Sequence, residues 1–483
     1  MKRWWLLFAG GVLISGFTIL QGIDPFDEGI ALQAAHRVSE GQTPYADFTW
    51  AYGPVTPYLL AGGFKLFGVS LLQWRILRVL ADAAVALVAY ALLKRYAPER
   101  VALVGWFAVA CAMAQPRSAN PFPFALLFAL LAFLPKRVLP AAALTALAAA
   151  FRLDFALYGA AGLIVLMAID RHWKDIARYA AITAGLTLLV YLPFLIDIGP
   201  SKLYDALVGT SLHDRNYWTL SFPFSYDGSF RPWRPHDLKD ALDYYQPLIL
   251  VIGLGVAAVA TAMRRAWLGL LVFGVGALSY LLSRTDEFHT QPLFVVLAVL
   301  LPAIVVWNRH RALTIAAACV FALILADAAG NRASALFDPP PLSRVHVDAA
   351  DGTEAPPREA RALERVVADI HERVPPGEPI YVAPRRSDLV AYSNSILYVL
   401  AERDNAAKRD FGLTASAAEQ QRIVGQLQST RPKVIVRWTD PLSSKAEPNL
   451  RGRASGSHVL DDYIASGYRL LERLYHYDVL VPR

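Results

Sequence analysis

Long apolar runs separated by shorter polar segments organise the first two thirds of the chain. Between Trp4 and about Ala329 each run is roughly 15–24 residues long, close to the roughly 20 that span ~30 Å of hydrocarbon. The pattern predicts an α-helical polytopic membrane protein of about 11 transmembrane helices. Their expected positions are 4–23, 72–93, 101–115, 121–135, 138–151, 155–169, 177–197, 247–263, 266–283, 291–307 and 312–329. Two of the polar intervals are long. In the first, 24–71, residues 28–40 read as an amphipathic helix with Ile30, Ala34, Ala35 and Val38 on one side. A turn at Tyr52-Gly53-Pro54 and a second apolar stretch over 58–67 follow. The second interval, 200–245, contains His213 to Trp218 and the aromatics Tyr217, Trp218, Phe222, Phe224, Tyr226 and Trp233. Such side chains suit an interfacial belt or a substrate wall.

The periodicity changes after the last run. Residues 335–357 are rich in Pro and Asp without an apolar period, and read as a linker. Beyond it, 357–374 and 415–428 have helical spacing, while 379–383, 434–438, 468–474 and 477–481 read as strands. Helix and strand alternate, so 358–483 is expected to form a small α/β domain, with 1–334 as the membrane domain.

Composition agrees: 55% of the 483 residues are hydrophobic and 18% charged, with a mean hydropathy of +0.35. The net charge of +7 does not point to nucleic acid, because the basic residues alternate between loops. They cluster at Lys2/Arg3, Lys94/Arg95/Arg100, Lys136/Arg137, Arg171/Lys174/Arg178, Arg264/Arg265 and Arg309/Arg311. This positive-inside pattern places the N-terminus in the cytoplasm and the C-terminal domain outside the cytoplasm, in a multi-pass protein of the cell (plasma or inner) membrane. The first run is longer than a signal-peptide core and leads into Gly-Ile-Asp-Pro rather than a small-residue cleavage site, so it is read as a retained helix. Cys111 and Cys319 both fall in apolar runs, which leaves no disulfide framework. Metal-type Cys/His spacing, Gly-rich phosphate loops, heptads and tandem repeats are not seen in the sequence.

That orientation gathers charged residues at one membrane face. Asp24, Asp27 and Glu28 follow the first run; Arg117 lies between the third and fourth. Arg152 and Asp154 occupy a short turn, and Arg284, Asp286, Glu287 and His289 lie between the ninth and tenth runs. Charge beside lipid is costly and marks a site. The combination suits attack by a hydroxyl on a sugar whose leaving group is a lipid phosphate. One carboxylate serves as base, while Arg or His stabilises the departing phosphate. A divalent metal held by carboxylates is the alternative. Blander roles exist for the same residues. Acids favour a helix N-terminus, Arg152 and Asp154 suit an ion pair across a turn, and the 284–289 and Arg117 loops suit solvated surface.

These residues resemble those of the GT-C superfamily, polytopic glycosyltransferases that use polyprenyl-phosphate sugars, in particular the protein O-mannosyltransferase and aminoarabinose transferase branch. The resemblance rests on Asp27-Glu28-Gly29, on 41–48 and Tyr52-Gly53-Pro54, on 64–70, on Arg152-Leu153-Asp154, and on Arg284-Thr285-Asp286 with His289. It covers the membrane domain, and the C-terminal domain more loosely. It implies a GT-C-like fold and a glycosyltransferase (hexosyl or pentosyl) of cell-envelope glycan biosynthesis. The sugar passes from the lipid donor to a lipid, glycan or protein acceptor at the outer face, with inversion. It makes Asp27 the base, with Glu28 supporting it or helping to hold a metal. Arg152, Arg284 and Arg117 are assigned to the donor phosphate, and Asp154, Asp286, His289 and Tyr52 to the pocket. The family often has a second acid in the next outer loop. Here 115–120 has none, and Asp154 is the nearest substitute, so metal use stays open. A transporter or flippase of lipid-linked sugars is the alternative. It would place charges near mid-membrane and show repeats.

Overall fold

The computed structural model describes residues 2–114, 122–210, 212, 220, 222–226, 228, 230–231, 233–262, 265–389, 393–410, 416–441 and 456–483. Among the described residues, eleven apolar helices coincide with the eleven expected runs. They are α1 (Lys2–Gly16), α4 (Leu71–Leu93), α5 (Glu99–Met113), α6 (Phe122–Leu131), α7 (Val138–Phe151), α8 (Leu153–Ile169), α9 (Trp173–Tyr204), α10 (Pro235–Thr261), α11 (Leu268–Ser283), α12 (Glu287–Trp307) and α13 (Arg311–Phe337). Among the described residues, six helical segments are long and apolar enough to cross a membrane by length and composition; α7 and α8 are shorter apolar helices. α12 runs through the middle of the bundle, buried from Leu293 to Leu301. Several helices outrun their apolar windows. α10 begins at Pro235, where His236, Asp237 and Lys239 dilute the hydropathy without interrupting the helix. α9 changes direction at Gly199, whose φ of 79° precedes Pro200.

The long first interval folds into two further helices, α2 (Asp27–Ser39) and α3 (Val55–Phe67). α3 stops at Gly68, φ 85°, and Ser70 then caps α4 by accepting from Leu72 N at 3.1 Å. The basic loops gather at the opposite end of the bundle, where Arg95 donates to Phe133 O at 2.9 Å and Arg3 pairs with Glu99.

The C-terminal region contains α14 (Pro357–Arg373), α15 (Ile396–Leu400), α16 (Ala417–Thr430) and α17 (Val459–Gly467). Four strands form one mixed sheet: β3 (Tyr381–Pro384), β4 (Ile435–Trp438), β5 (Tyr468–Leu474) and β6 (Tyr477–Pro482), in the order β3-β4-β6-β5. β3 pairs parallel to β4, while β6 is antiparallel to both its neighbours. The segment expected as a linker is more ordered than its composition suggests. β1 (Ser343–Arg344) pairs with β2 (Glu354–Ala355), and Gln21 bridges to Glu354. This region does not hang from the bundle. Leu363, Val366, Ile370, Ile396 and Val436 share one apolar core with Ala31, Leu32 and Ala35 of α2, Phe64 of α3 and Leu71 and Trp74 of α4.

Candidate active site

The site is built on the start of α2. Asp24 Oδ1 accepts from Phe26 N at 2.8 Å and from Asp27 N at 3.2 Å, which turns the chain into the helix. Gly29 has no alternative there: a Cβ would lie 2.3 Å from the backbone N of Ile396. Glu28 is 1% exposed, and its carboxylate is gripped by Arg75 of α4. Nε donates to Oε1 at 2.6 Å and Nη2 to Oε2 at 2.7 Å. The same guanidinium donates to Ile19 O at 2.9 Å and Gly22 O at 2.7 Å. Arg75 thereby fastens both sides of the turn that presents Asp27. Glu28 belongs to this anchor and not to the pocket. Both its oxygens serve Arg75, so the expectation that Glu28 acts beside Asp27 or shares a metal with it does not fit. Consecutive helix residues point about 100° apart, which is why sequence neighbours part here.

Asp27 is partly exposed, and among the described residues none donates a hydrogen bond to its carboxylate. Its pKa is held well above the usual aspartate range. Burial by surrounding protein is the largest cause, followed by the charges of Asp24 and Asp286; Arg284 and Arg152 oppose them. Side chains from three separate loops thus reach one place.

Arg152 sits in the extended residue between α7 and α8. It donates from Nε and Nη2 to the two oxygens of Asp154, at 3.0 and 2.7 Å. Its guanidinium lies 5.1 Å from the ring of Tyr52, 5.1 Å from Phe155 and 4.8 Å from Tyr280. Tyr52 is placed by its neighbour Gly53, which donates to Phe151 O at 2.9 Å and could not carry a Cβ against Ala150 O. Burial pushes the Tyr52 hydroxyl up to about 12, with Arg152 opposing and Asp27 and Asp154 adding to the shift.

The third loop caps α12. Asp286 Oδ1 accepts from Phe288 N at 3.1 Å and His289 N at 3.0 Å, and lies 2.6 Å from His289 Nδ1. Arg284 Nε donates to Oδ2 at 2.5 Å. Burial pushes the Asp286 carboxyl up, but His289 and Arg284 outweigh it and bring it down to about 2. His289 stacks on Tyr280 at 4.2 Å, and Tyr280 Oη accepts from Arg152 at 3.3 Å. One polar chain therefore runs Asp154–Arg152–Tyr280–His289–Asp286–Arg284, with Asp27 and Tyr52 beside it.

Of the expected residues, Asp27, Tyr52, Arg152, Asp154, Arg284, Asp286 and His289 come together. Glu28 does not, and Arg117 and the 213–218 stretch lie outside the described residues. Tyr280 and Arg75 were missed by sequence reasoning. Tyr280 ends an apolar run one turn before Arg284, and a polar aromatic so close to a charged loop was the available signal. Among the described residues one group of three metal-type side chains lies close together, Asp388, His458 and Asp461 in the C-terminal region. Arg386 already pairs with Asp388 and Arg437 with Asp461. Among the described residues no second donor set of that kind is assembled around Asp27.

No family model matches the sequence, and no curated protein does. The fold, however, has solved counterparts. ArnT from Cupriavidus metallidurans, in its crystal structure bound to undecaprenyl phosphate, gives a TM-score of 0.57 over 99% of this chain and 98% of that one, at 14% identity. Its apo structure gives the same values. The apo Archaeoglobus fulgidus oligosaccharyltransferase gives 0.50 over 90% of this chain and 70% of its own, at 13% identity. The GT-C-like fold expected from the sequence is the fold found.

Proposed function

We propose that the chain is an integral membrane glycosyltransferase that moves a sugar from a polyprenyl-phosphate donor to a lipid, glycan or protein acceptor. In this reading the N-terminus is cytoplasmic, and the Asp27 site and C-terminal region face the extracytoplasmic side. The observation that carries it is a partly exposed carboxylate, Asp27, to which none of the described residues donates a hydrogen bond, set among Arg152 from one loop and Arg284 and Asp286 from another. The fold is shared with a protein crystallised with undecaprenyl phosphate, which supports a lipid-phosphate donor.

The acceptor hydroxyl gives its proton to Asp27 as its oxygen attacks the anomeric carbon from the face opposite the phosphate. The new C–O bond forms as the bond to the phosphate oxygen breaks, and the electron pair leaves with the polyprenyl phosphate. Attack from the opposite face inverts the anomeric centre. Arg152 and Arg284 stabilise the departing charge. Both guanidinium planes are already oriented, by Asp154 and by Asp286, so little reorganisation accompanies the reaction. His289 and Tyr280 hold the two arginine loops in register. Asp27 performs its role only when ionised, so its raised pKa makes it a better base and a scarcer one at low pH.

The test is release of polyprenyl phosphate and transfer of label from polyprenyl-phosphate sugars by the purified protein. Asp27→Asn is expected to lower the rate by roughly 10²–10⁴-fold, the usual share of a general base. Unchanged release would overturn the assignment.

A further inference from the structure

A second group of charges lies behind the Asp27 site, between α1, α4, α5 and α13. Trp74, Arg78 and Asp82 follow one another at i, i+4 and i+8 along α4, so they share one face. Arg78 is 1% exposed, and none of its three guanidinium nitrogens has an acceptor. The indole Nε1 of fully buried Trp74, Arg332 Nε and Asp82 Oδ1 are likewise unpartnered. The rest of Arg332 is spoken for: Nη1 donates to Ala114 O at 2.7 Å, and Nη2 to Ile14 O at 2.7 Å and Thr18 Oγ1 at 3.2 Å. Asp82 Oδ2 accepts from Ser15 Oγ at 2.9 Å.

Two features specify what belongs there. Five donor nitrogens face a single unpaired acceptor oxygen, so the set calls for a group rich in acceptors. The charges also do not balance. Arg75, Arg78 and Arg332 oppose Glu28 and Asp82, and Arg75 is already matched by Glu28. One positive charge is left in a place where water is scarce. The position names the source. Arg78 is seven residues into α4, about 10 Å along its axis from the loop end. Arg332 sits five residues before the end of α13. Its guanidinium lies 4.2 Å from the ring of Phe17, which is 42% exposed in the turn after α1. Among the described residues, the Phe17 ring links this cluster to the exposed surface of the bundle. Lipid phosphates lie at the membrane interface, near the ends of apolar helices such as α4 and α13.

We infer that Arg78, Arg332 and Trp74 form a second phosphate site, distinct from the Asp27 pocket, which takes the phosphate of a lipid entering past Phe17. The group is a phosphate ester on a lipid, carried by a phospholipid headgroup or a polyprenyl phosphate. The inference does not depend on glycosyl transfer, because it concerns binding alone.

The experiment uses the full chain, delipidated in detergent, with melting temperature and retained lipid phosphorus measured after adding phosphatidylglycerol, polyprenyl phosphate or inorganic phosphate. Wild type is expected to retain the phosphate lipid, and Arg78→Gln about tenfold less, the effect of losing one charge-assisted contact. Whichever lipid raises the melting temperature identifies the source. Arg332→Gln, on a different helix, gives the same loss and serves where Arg78→Gln fails to fold. Retention unchanged in both arginine variants overturns the site, and so does an Arg78→Gln protein whose melting temperature rises on adding the phosphate lipid as much as that of wild type. Stabilisation by inorganic phosphate alone overturns the lipid assignment.

Discussion

The charge on Asp27 is set by neighbours that can be removed one at a time. Asp24 is the largest source of like-charge repulsion, and its side chain also turns the backbone into α2 through Oδ1. An asparagine keeps that oxygen and loses the charge. Asp24→Asn is therefore expected to move the acid limb of kcat/KM to lower pH, since activity needs ionised Asp27 and its pKa falls when a like charge is removed. Arg284→Gln removes an opposite charge and moves the limb upward. A pH–rate profile checks both; limbs that coincide with wild type would mean that Asp27 is not the titrating base. The same shift has a stability sign. A carboxyl with a raised folded pKa adds stability that is fully present below its unfolded value, about 3.9, and is lost as pH rises through the folded one. Asp27→Asn should therefore raise the melting temperature at neutral pH, with a gain that shrinks in acid.

The turn before α2 depends on a buried ion pair whose partners lie far apart in sequence, Glu28 and Arg75. Removing one partner of such a pair costs roughly 3–5 kcal/mol, whereas replacing both by apolar groups costs far less. Arg75→Leu should thus depress the melting temperature strongly, and Glu28→Leu/Arg75→Leu should recover much of it. Additive losses would show that the two side chains do not act together. At this scale much of the fold was legible. Eleven apolar runs gave eleven helices, because hydropathy reports burial in lipid directly. The strands of 379–383, 434–438, 468–474 and 477–481 appear within a few residues of expectation. Helix ends were not legible where polar residues continue a helix beyond its apolar run, as at Pro235. The pocket was legible through its charges at loop mouths, since charge beside lipid needs a reason. Glu28 and Arg75 were not, because their pairing is a tertiary fact. The buried charges Arg78 and Asp82 were hidden by the apolar run that contains them, and Arg332 lies just past the last run.

At the scale of the whole molecule, α2 is held by the C-terminal region as firmly as by the bundle. Arg37, near its far end, donates Nε and Nη2 to the two oxygens of Asp410 at 2.9 and 2.8 Å, with both side chains buried, and Nη2 also reaches Ala407 O at 2.6 Å. Thr49 N donates to Lys408 O at 2.8 Å, and Ile396 N to Pro25 O at 3.3 Å beside Gly29. The helix that presents Asp27 therefore lies between two bodies that share its core, so the C-terminal region contributes to the site by fixing that helix. Its effect on chemistry should appear in kcat, since a small misplacement of a base costs transition-state stabilisation more than binding. Arg37→Leu is expected to lower kcat at nearly constant KM and to quicken amide exchange along α2 and 404–410 together. A purely local role for Arg37 would speed exchange only in 404–410 and leave kcat intact. Asp410→Asn, which removes the charge but leaves one oxygen to accept from Arg37, should fall between wild type and Arg37→Leu in both measurements.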